Sequence, residues 1–311
     1  MTPSLHVIMY HYVRDLPNTP FPKIKGMLTR DFRHQLSFVQ DRYEMATLDS
    51  ALDFLRGTYV PARDLCLLTF DDGLKEHYSE ITPLLTERKI RGLFFLITSC
   101  LNGRYIAPVH MNHFLMAGLD FEEYRESFLR RVTELTPNSK TSIDVDPGLA
   151  RRTYRWDIPE VASFKYLFNF LLDCDLRDRI LEDLFVEKIG DIPSFANTLY
   201  LNSDEAREMQ NAGMIVGGHS HWHKPLSSLS PEELGSDLAT CLEVLAANLN
   251  PQTSWPFCYP YGKKDSFSSA SSEQLKRFGF VCSFSTEVGS NVPGVDLFGL
   301  RRIDCKDVPT Q

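Results

Sequence analysis

Two kinds of hydrophobic rhythm divide this chain. Short, almost uninterrupted apolar runs recur towards both ends, and a longer helical periodicity fills the middle. Leu5 to Tyr12 reads as a first strand, and Phe32 to Tyr43 and Leu48 to Arg56 carry helical spacing. Asp64-Leu-Cys-Leu-Leu-Thr-Phe70 is nearly all apolar, the pattern of a strand covered on both faces, and it runs directly into Asp71-Asp72-Gly73. A helix from about Tyr78 to Arg88 and a second buried run, Gly92 to Thr98, complete a β-α-β unit. That unit predicts a parallel sheet or barrel with its chemistry at the carboxyl ends of the strands.

From about Arg104 to Tyr200 the pattern predicts long helices, Phe121 to Leu135 and Val161 to Leu184, separated by the polar stretch Thr136 to Pro147. Alternation then resumes, with a strand at Met214 to Gly218, a helix over Pro231 to Leu249, a strand at Thr253 to Tyr259, a helix near Ser272 to Phe278 and a strand at Gly279 to Ser285. Ser230, Pro231 and Glu233 form a helix-start signal: a capping hydroxyl, a proline at the first helical position and a carboxylate that closes a capping box. The expected organisation is a single barrel domain over residues 1–311 with residues 104–200 as a helical insertion within it.

Composition narrows the picture further. Hydrophobic residues at 43% and charged residues at 24% exclude a disordered or coiled-coil chain. A net charge of −8 argues against a nucleic-acid-binding protein and against a surface that gathers anionic lipid. The seven cysteines are scattered without a C-x-x-C pair, and neither a signal peptide nor a long apolar span is evident, so the expected protein is soluble and cytoplasmic with reduced thiols.

The candidate chemistry lies at two strand ends. Asp71 and Asp72 stand together where two carboxylates cannot both stay ionised without a nearby positive charge, which a metal cation supplies. Three of the nine histidines fall in Gly217-Gly-His-Ser-His-Trp-His223, directly after a predicted strand. His219 and His223, four apart, can reach one ion, and a carboxylate completes a two-histidine, one-carboxylate set that leaves room for water and substrate. His221 is the weakest ligand candidate, because its side chain should diverge from its neighbours.

Thr69-Phe-Asp-Asp-Gly73 and His219-Ser-His-Trp-His223 resemble the first two motifs, T-F-D-D-G and H-[ST]-x-x-H, of the polysaccharide deacetylases, or NodB-homology hydrolases. Lys224 to Ser230 looks like the family's usual continuation, and Phe257-Cys-Tyr-Pro-Tyr-Gly262 resembles its third motif; the similarity covers roughly residues 5–103 and 200–305. The resemblance implies an α/β fold, a distorted (β/α)7-type barrel with a large helical insertion. It implies a metal-dependent amidohydrolase that removes an N-acyl group, typically acetyl, from an amino sugar. On this resemblance Asp72, His219 and His223 bind one divalent ion, zinc first and cobalt, nickel or iron otherwise, while Asp71 serves as general base and Ser220 braces the loop. A backbone N–H near Tyr261 serves the oxyanion, and Tyr259, Pro260 and Arg302 are expected at the substrate.

The chain also departs from the family pattern. Cys258 stands where many members have an Arg in contact with the catalytic Asp, and Arg301 or Arg302 is the candidate for that role. The family's late L-x-H motif, source of the general acid, is missing, since no histidine follows His223. His11, in Met9-Tyr-His-Tyr12, is the expected replacement, with Asp304 and Asp71 itself as the other candidates. The implied substrate is an N-acylated amino sugar, nucleotide-linked or lipid-linked, in surface polysaccharide (lipopolysaccharide) biosynthesis. A deformylase or small-amide hydrolase on the same site is the neighbouring reading. A non-catalytic sugar- or metal-binding module is the rival from another class.

Overall fold

The computed structural model describes residues 3–136 and 145–310, so most of the polar stretch Thr136 to Pro147 lies outside the described residues. The chain divides into two compact units, Met1–Thr19 with Lys25–Tyr105 and Pro193–Gln311, and Pro20–Ile24 with Ile106–Ile192.

The first unit contains the strands β1 (Leu5–Tyr10), β2 (Glu44–Met45), β3 (Leu65–Phe70), β4 (Leu93–Leu96), β5 (Ile215–Gly218), β6 (Trp255–Cys258), β7 (Phe280–Val288) and β8 (Leu300–Asp304). Their order is β1-β8-β7-β6-β5-β4-β3-β2, and β1 also pairs with β3, in parallel, from Leu5 opposite Leu65 to Tyr10 opposite Phe70. Seven strands thus close a parallel barrel, and the two-residue β2 lies against the start of β3.

Period-two alternation sorts the strand side chains into two cores. Val7, Leu67, Phe95, Phe284 and Leu300 share one cluster with the helix Leu48–Leu55. The Phe95 and Phe284 rings meet at 5.5 Å although β4 and β7 are not neighbours, which places this cluster inside the barrel. Ile8, Leu68, Phe94 and Val216 point the other way, against helix residues such as Leu36, Val39 and Met209. Gly217 is needed in this interior because an added Cβ would lie 2.9 Å from the Phe95 ring and 2.4 Å from the Pro256 carbonyl oxygen. Thr69 and Asp71 continue the inward row of β3, and Arg302 continues that of β8 from Leu300.

The second unit is helical, built on Pro108–Gly118, Phe121–Leu135, Pro147–Thr153, Pro159–Tyr166 and Cys174–Lys188. Phe128 packs with Phe164 and Phe168 at its centre. The continuous helix expected over Val161 to Leu184 is broken. A wide turn occupies Leu167–Leu171, Leu172 is in extended backbone, and Asp173 starts a new helix by accepting the Leu176 N–H at 3.0 Å. The helix Ile192–Leu199 falls almost entirely in the barrel unit, so the helical unit is shorter than the predicted insertion. Among the described residues, no helix is long and apolar enough to cross a membrane.

Candidate active site

Beyond β3 the chain turns sharply, with Asp72 at φ 79° and Gly73 at φ 66°. A Cβ on Gly73 would lie 2.8 Å from the Leu96 side chain, so the turn needs glycine on grounds of space as well as dihedral angle. The turn separates the two carboxylates. Asp71 extends the ladder by donating its N–H to Tyr10 (2.9 Å), and its side chain drops into the barrel, 1% exposed.

There Arg302 meets Asp71 as a two-pronged ion pair, Nη1 to Oδ1 at 2.8 Å and Nη2 to Oδ2 at 2.7 Å. The remaining guanidinium donors reach Ser285 O (2.8 Å), Thr69 Oγ1 (3.1 Å) and Cys258 Sγ (3.1 Å). Burial alone would raise the Asp71 pKa, but the charge and hydrogen bonds of Arg302 outweigh it and hold the carboxyl below its ordinary range. Cys258 gives its thiol to Asp71 Oδ2 at 3.6 Å, and burial pushes that thiol's pKa up, so it is a neutral neighbour. Of the two arginine candidates, Arg301 is exposed and Arg302 is the one at Asp71.

The second motif follows β5. His219 donates its backbone N–H to Leu96 O (2.9 Å) and its Nδ1–H to Cys258 O (2.7 Å), which leaves the Nε2 lone pair facing Asp72. Ser220 and His223 both adopt positive φ, 61° and 55°, and the Ser220 hydroxyl accepts the His223 N–H at 2.9 Å. This fold-back sets the two Nε2 atoms 3.2 Å apart, with Asp72 Oδ1 at 3.4 Å from His219 and 3.6 Å from His223. One ligand atom from each residue lies within 4.8 Å of the others, all three residues buried. Two imidazole nitrogens and a carboxylate oxygen facing one another suit a divalent transition ion. His221 turns aside, its Nδ1 hydrogen-bonded to the Thr98 hydroxyl at 2.9 Å.

A residue absent from the sequence reading supports this loop. Asp237, on the helix Pro231–Asn248, accepts the backbone N–H of His221 (2.9 Å) and of Trp222 (3.0 Å). Burial raises its pKa, moderated by those two donors. Nothing local marks Asp237, since its partners lie 16 and 15 positions away and meet it only through the fold.

His11 stands at the rim, its side chain 43% exposed and its Nε2 3.7 Å from Asp71 Oδ2. The buried His77 donates Nε2–H to the His11 carbonyl at 3.1 Å, and burial brings the His77 pKa down to about 4. The Tyr261 ring lies 5.1 Å from that of His223. Asp304 caps the turn Cys305–Asp307 by accepting the Lys306 N–H at 3.0 Å.

The residues expected to touch substrate are placed otherwise. Tyr259 is fully buried, stacked on Phe267 at 4.0 Å and hydrogen-bonded through its hydroxyl to Phe298 O (2.9 Å) and Ser272 Oγ (2.9 Å). Pro260 is buried beside it. Arg302, 1% exposed, is covered and committed to Asp71.

The family model for polysaccharide deacetylases matches residues 59–128 and 189–282, more than half of the chain. YxkH of Bacillus subtilis (strain 168) is 23% identical over 141 residues, 45% of this chain and 48% of that protein, so the chain matches about half of that curated relative's length. Among solved structures, IcaB from Ammonifex degensii is similar at a TM-score of 0.60 and 21% identity, covering 99% of this chain and 95% of that one. The Streptococcus pyogenes deacetylase PplD in complex with acetate is similar at 0.58 and 15% identity, covering 98% and 93%. At these identities the structures establish a shared barrel fold.

Proposed function

Because this chain belongs to the polysaccharide deacetylase family, we propose that it is a metal-dependent N-deacylase of an amino sugar, hydrolysing an acetamido group to acetate and the free amine. The observation that carries the reading is the division of labour between adjacent carboxylates, Asp72 turned towards His219 and His223 and Asp71 gripped by Arg302.

A divalent cation held by Asp72, His219 and His223, zinc in the first instance and cobalt, nickel or iron otherwise, supplies Lewis-acid polarisation of the amide carbonyl and acidity to the attacking water. Asp71 takes the water's proton. Arg302 keeps this base ionised throughout the neutral range and fixes the direction of its lone pairs. Tyr261 offers its backbone N–H to the developing oxyanion. His11 gives a proton to the nitrogen as the C–N bond breaks, and the proton collected on Asp71 returns through His11 Nε2, 3.7 Å away. Water thus adds its oxygen to the acyl carbon and its hydrogen to the amine.

The substrate in this reading is an N-acetylated amino sugar carried on a nucleotide or lipid, a precursor of surface polysaccharide handled in the cytoplasm. Seven cysteines outside any disulfide, six of them buried, support a reducing compartment. Elemental analysis should find about one equivalent of metal, lost in His219→Ala and retained in His221→Ala. Mass spectrometry of N-acetylated sugars and nucleotide sugars should show acetyl loss, reduced at least about 100-fold in Asp71→Asn with the metal retained. Loss of formyl alone would move the reading to a deformylase. Metal binding without turnover of any sugar or amide would leave a non-catalytic module.

A further inference from the structure

A pocket of about 480 Å³ opens beside the histidine loop in the barrel unit, lined by Asn102, Arg104, Tyr105, His221, Trp222 and Val244 among others. None of Asp72, His219 and His223 lines it. The proposed deacylation does not use it.

Its lining is specific in chemistry. Trp222 keeps 45% of its surface exposed, yet it is firmly held. Its backbone N–H is taken by Asp237 (3.0 Å), and its ring meets Tyr105 at 5.4 Å and His221 at 4.4 Å, both nearly perpendicular. A large apolar ring fixed in an open position is a platform, because little side-chain freedom is lost when something stacks on it. The polar groups around it have capacity to spare. Asn102 uses Oδ1 to accept the Ser203 N–H (2.9 Å) and hydroxyl (3.0 Å), which orients its amide NH₂ as a donor. His221 spends Nδ1 on Thr98 (2.9 Å), leaving Nε2. Arg104 is exposed and makes no hydrogen bond or ion pair among the described residues.

We infer that this pocket is a second carbohydrate subsite, which stacks a pyranose ring on Trp222 and pairs an anionic substituent of that sugar, phosphate or carboxylate, with Arg104. A pyranose presents an apolar C–H face for the indole and a rim of hydroxyls for Asn102 and His221, which matches a flat platform ringed by hydrogen-bonding groups. The unpaired guanidinium adds the requirement for an anion, which it can hold through two parallel N–H bonds. The inference rests on the carbohydrate substrate proposed above and deepens it: the sugar being deacylated carries, or is joined to, a second, anionic unit.

The test uses the protein as purified, with Asp71→Asn to prevent turnover. N-acetylglucosamine 1-phosphate, glucuronate, neutral N-acetylglucosamine and inorganic phosphate are titrated by calorimetry and tryptophan fluorescence. The expected result is binding of one or both anionic sugars, weakened about tenfold or more by Arg104→Gln and by Trp222→Leu. Trp222→Tyr, which restores an aromatic face, should recover most of the affinity. Preference for the phosphate sugar identifies a glycosyl phosphate as the source of the anion; preference for glucuronate identifies a uronic acid. The inference is overturned if neither anionic sugar binds, if both variants bind like the parent, or if inorganic phosphate binds as tightly as the sugar phosphate. Turnover by the wild-type protein is read separately. Binding that depends on Trp222 and Arg104 without acetate release from any sugar removes the deacylase reading alone, whereas deacylation without such binding removes the subsite alone.

Discussion

The two halves of the candidate site are held by different forces. At the end of β3, Asp71 is fixed by a full charge inside the barrel, Arg302, from a strand 231 positions later. In the loop after β5, His219 and His223 are aimed by hydrogen bonds at its edges, with no pair of opposite charges among them: from the Cys258 carbonyl, the Ser220 hydroxyl and the Asp237 carboxylate gripping two backbone N–H groups. The strand half therefore depends on ionisation and the loop half on direction. Removing a support should unfold the first and misalign the second.

The largest effect should come from Arg302→Met, which leaves the Asp71 carboxylate buried without a counter-charge. Urea unfolding at neutral pH should show a loss of about 3–5 kcal/mol. Adding Asp71→Asn should restore much of it, because the buried charge is then gone. A stable single variant would break the contrast at its stronger side.

The next effect is acid-dependent. His77 supports His11 from below as a neutral imidazole, and its folded pKa of about 4 lies below its ordinary value of 6.5. The unfolded chain therefore binds the proton more readily, so stability is whole above pH 6.5 and falls as the pH drops towards 4, by about 3 kcal/mol in all. His77→Gln should flatten the curve in that window. The Asp71 pair responds lower on the scale. With its folded pKa depressed, its contribution is whole above the unfolded carboxylate pKa, near about 3.9, and is lost only as the pH falls through the folded value. Urea midpoints measured from neutral pH downwards would separate the two windows, and a curve unchanged by His77→Gln would remove the first.

Asp237→Ala should be milder for folding, about 2 kcal/mol, and severe for alignment, with ion affinity reduced about 10–100-fold. Asp237→Asn, which keeps one acceptor oxygen, should fall between on both scales. Unchanged affinity by metal titration would show that the loop needs no such aim.

Sequence made the contiguous parts of this arrangement legible and left the long-range parts dark. The Asp71-Asp72-Gly73 turn and the paired histidines are readable because each motif is local and ends a buried apolar run. β8 is not recognisable as a strand, since Leu300-Arg-Arg-Ile-Asp304 carries three charges in five residues. One arginine faces outward and the other is neutralised by a partner from β3, so the choice between Arg301 and Arg302 waited on the barrel. Asp237 looks like any polar helix position until the fold brings the loop to it. Tyr259 shows the opposite error: neighbourhood to a motif suggested substrate contact, while its side chain follows the strand's alternation into the core.

The ladder between β1 and β8, with Ile8 opposite Ile303, bears on how the protein is made. A chain emerging from the ribosome carries Asp72, His219 and His223 well before Arg302 is translated, and Asp71 spends that interval without its counter-ion. Closure of the barrel and neutralisation of the buried carboxylate then arrive together, as β8 docks between β1 and β7. A translation product that stops short of residue 302 thus retains the sequence motifs by which it would be recognised and lacks the pairing that makes them compatible with a folded interior.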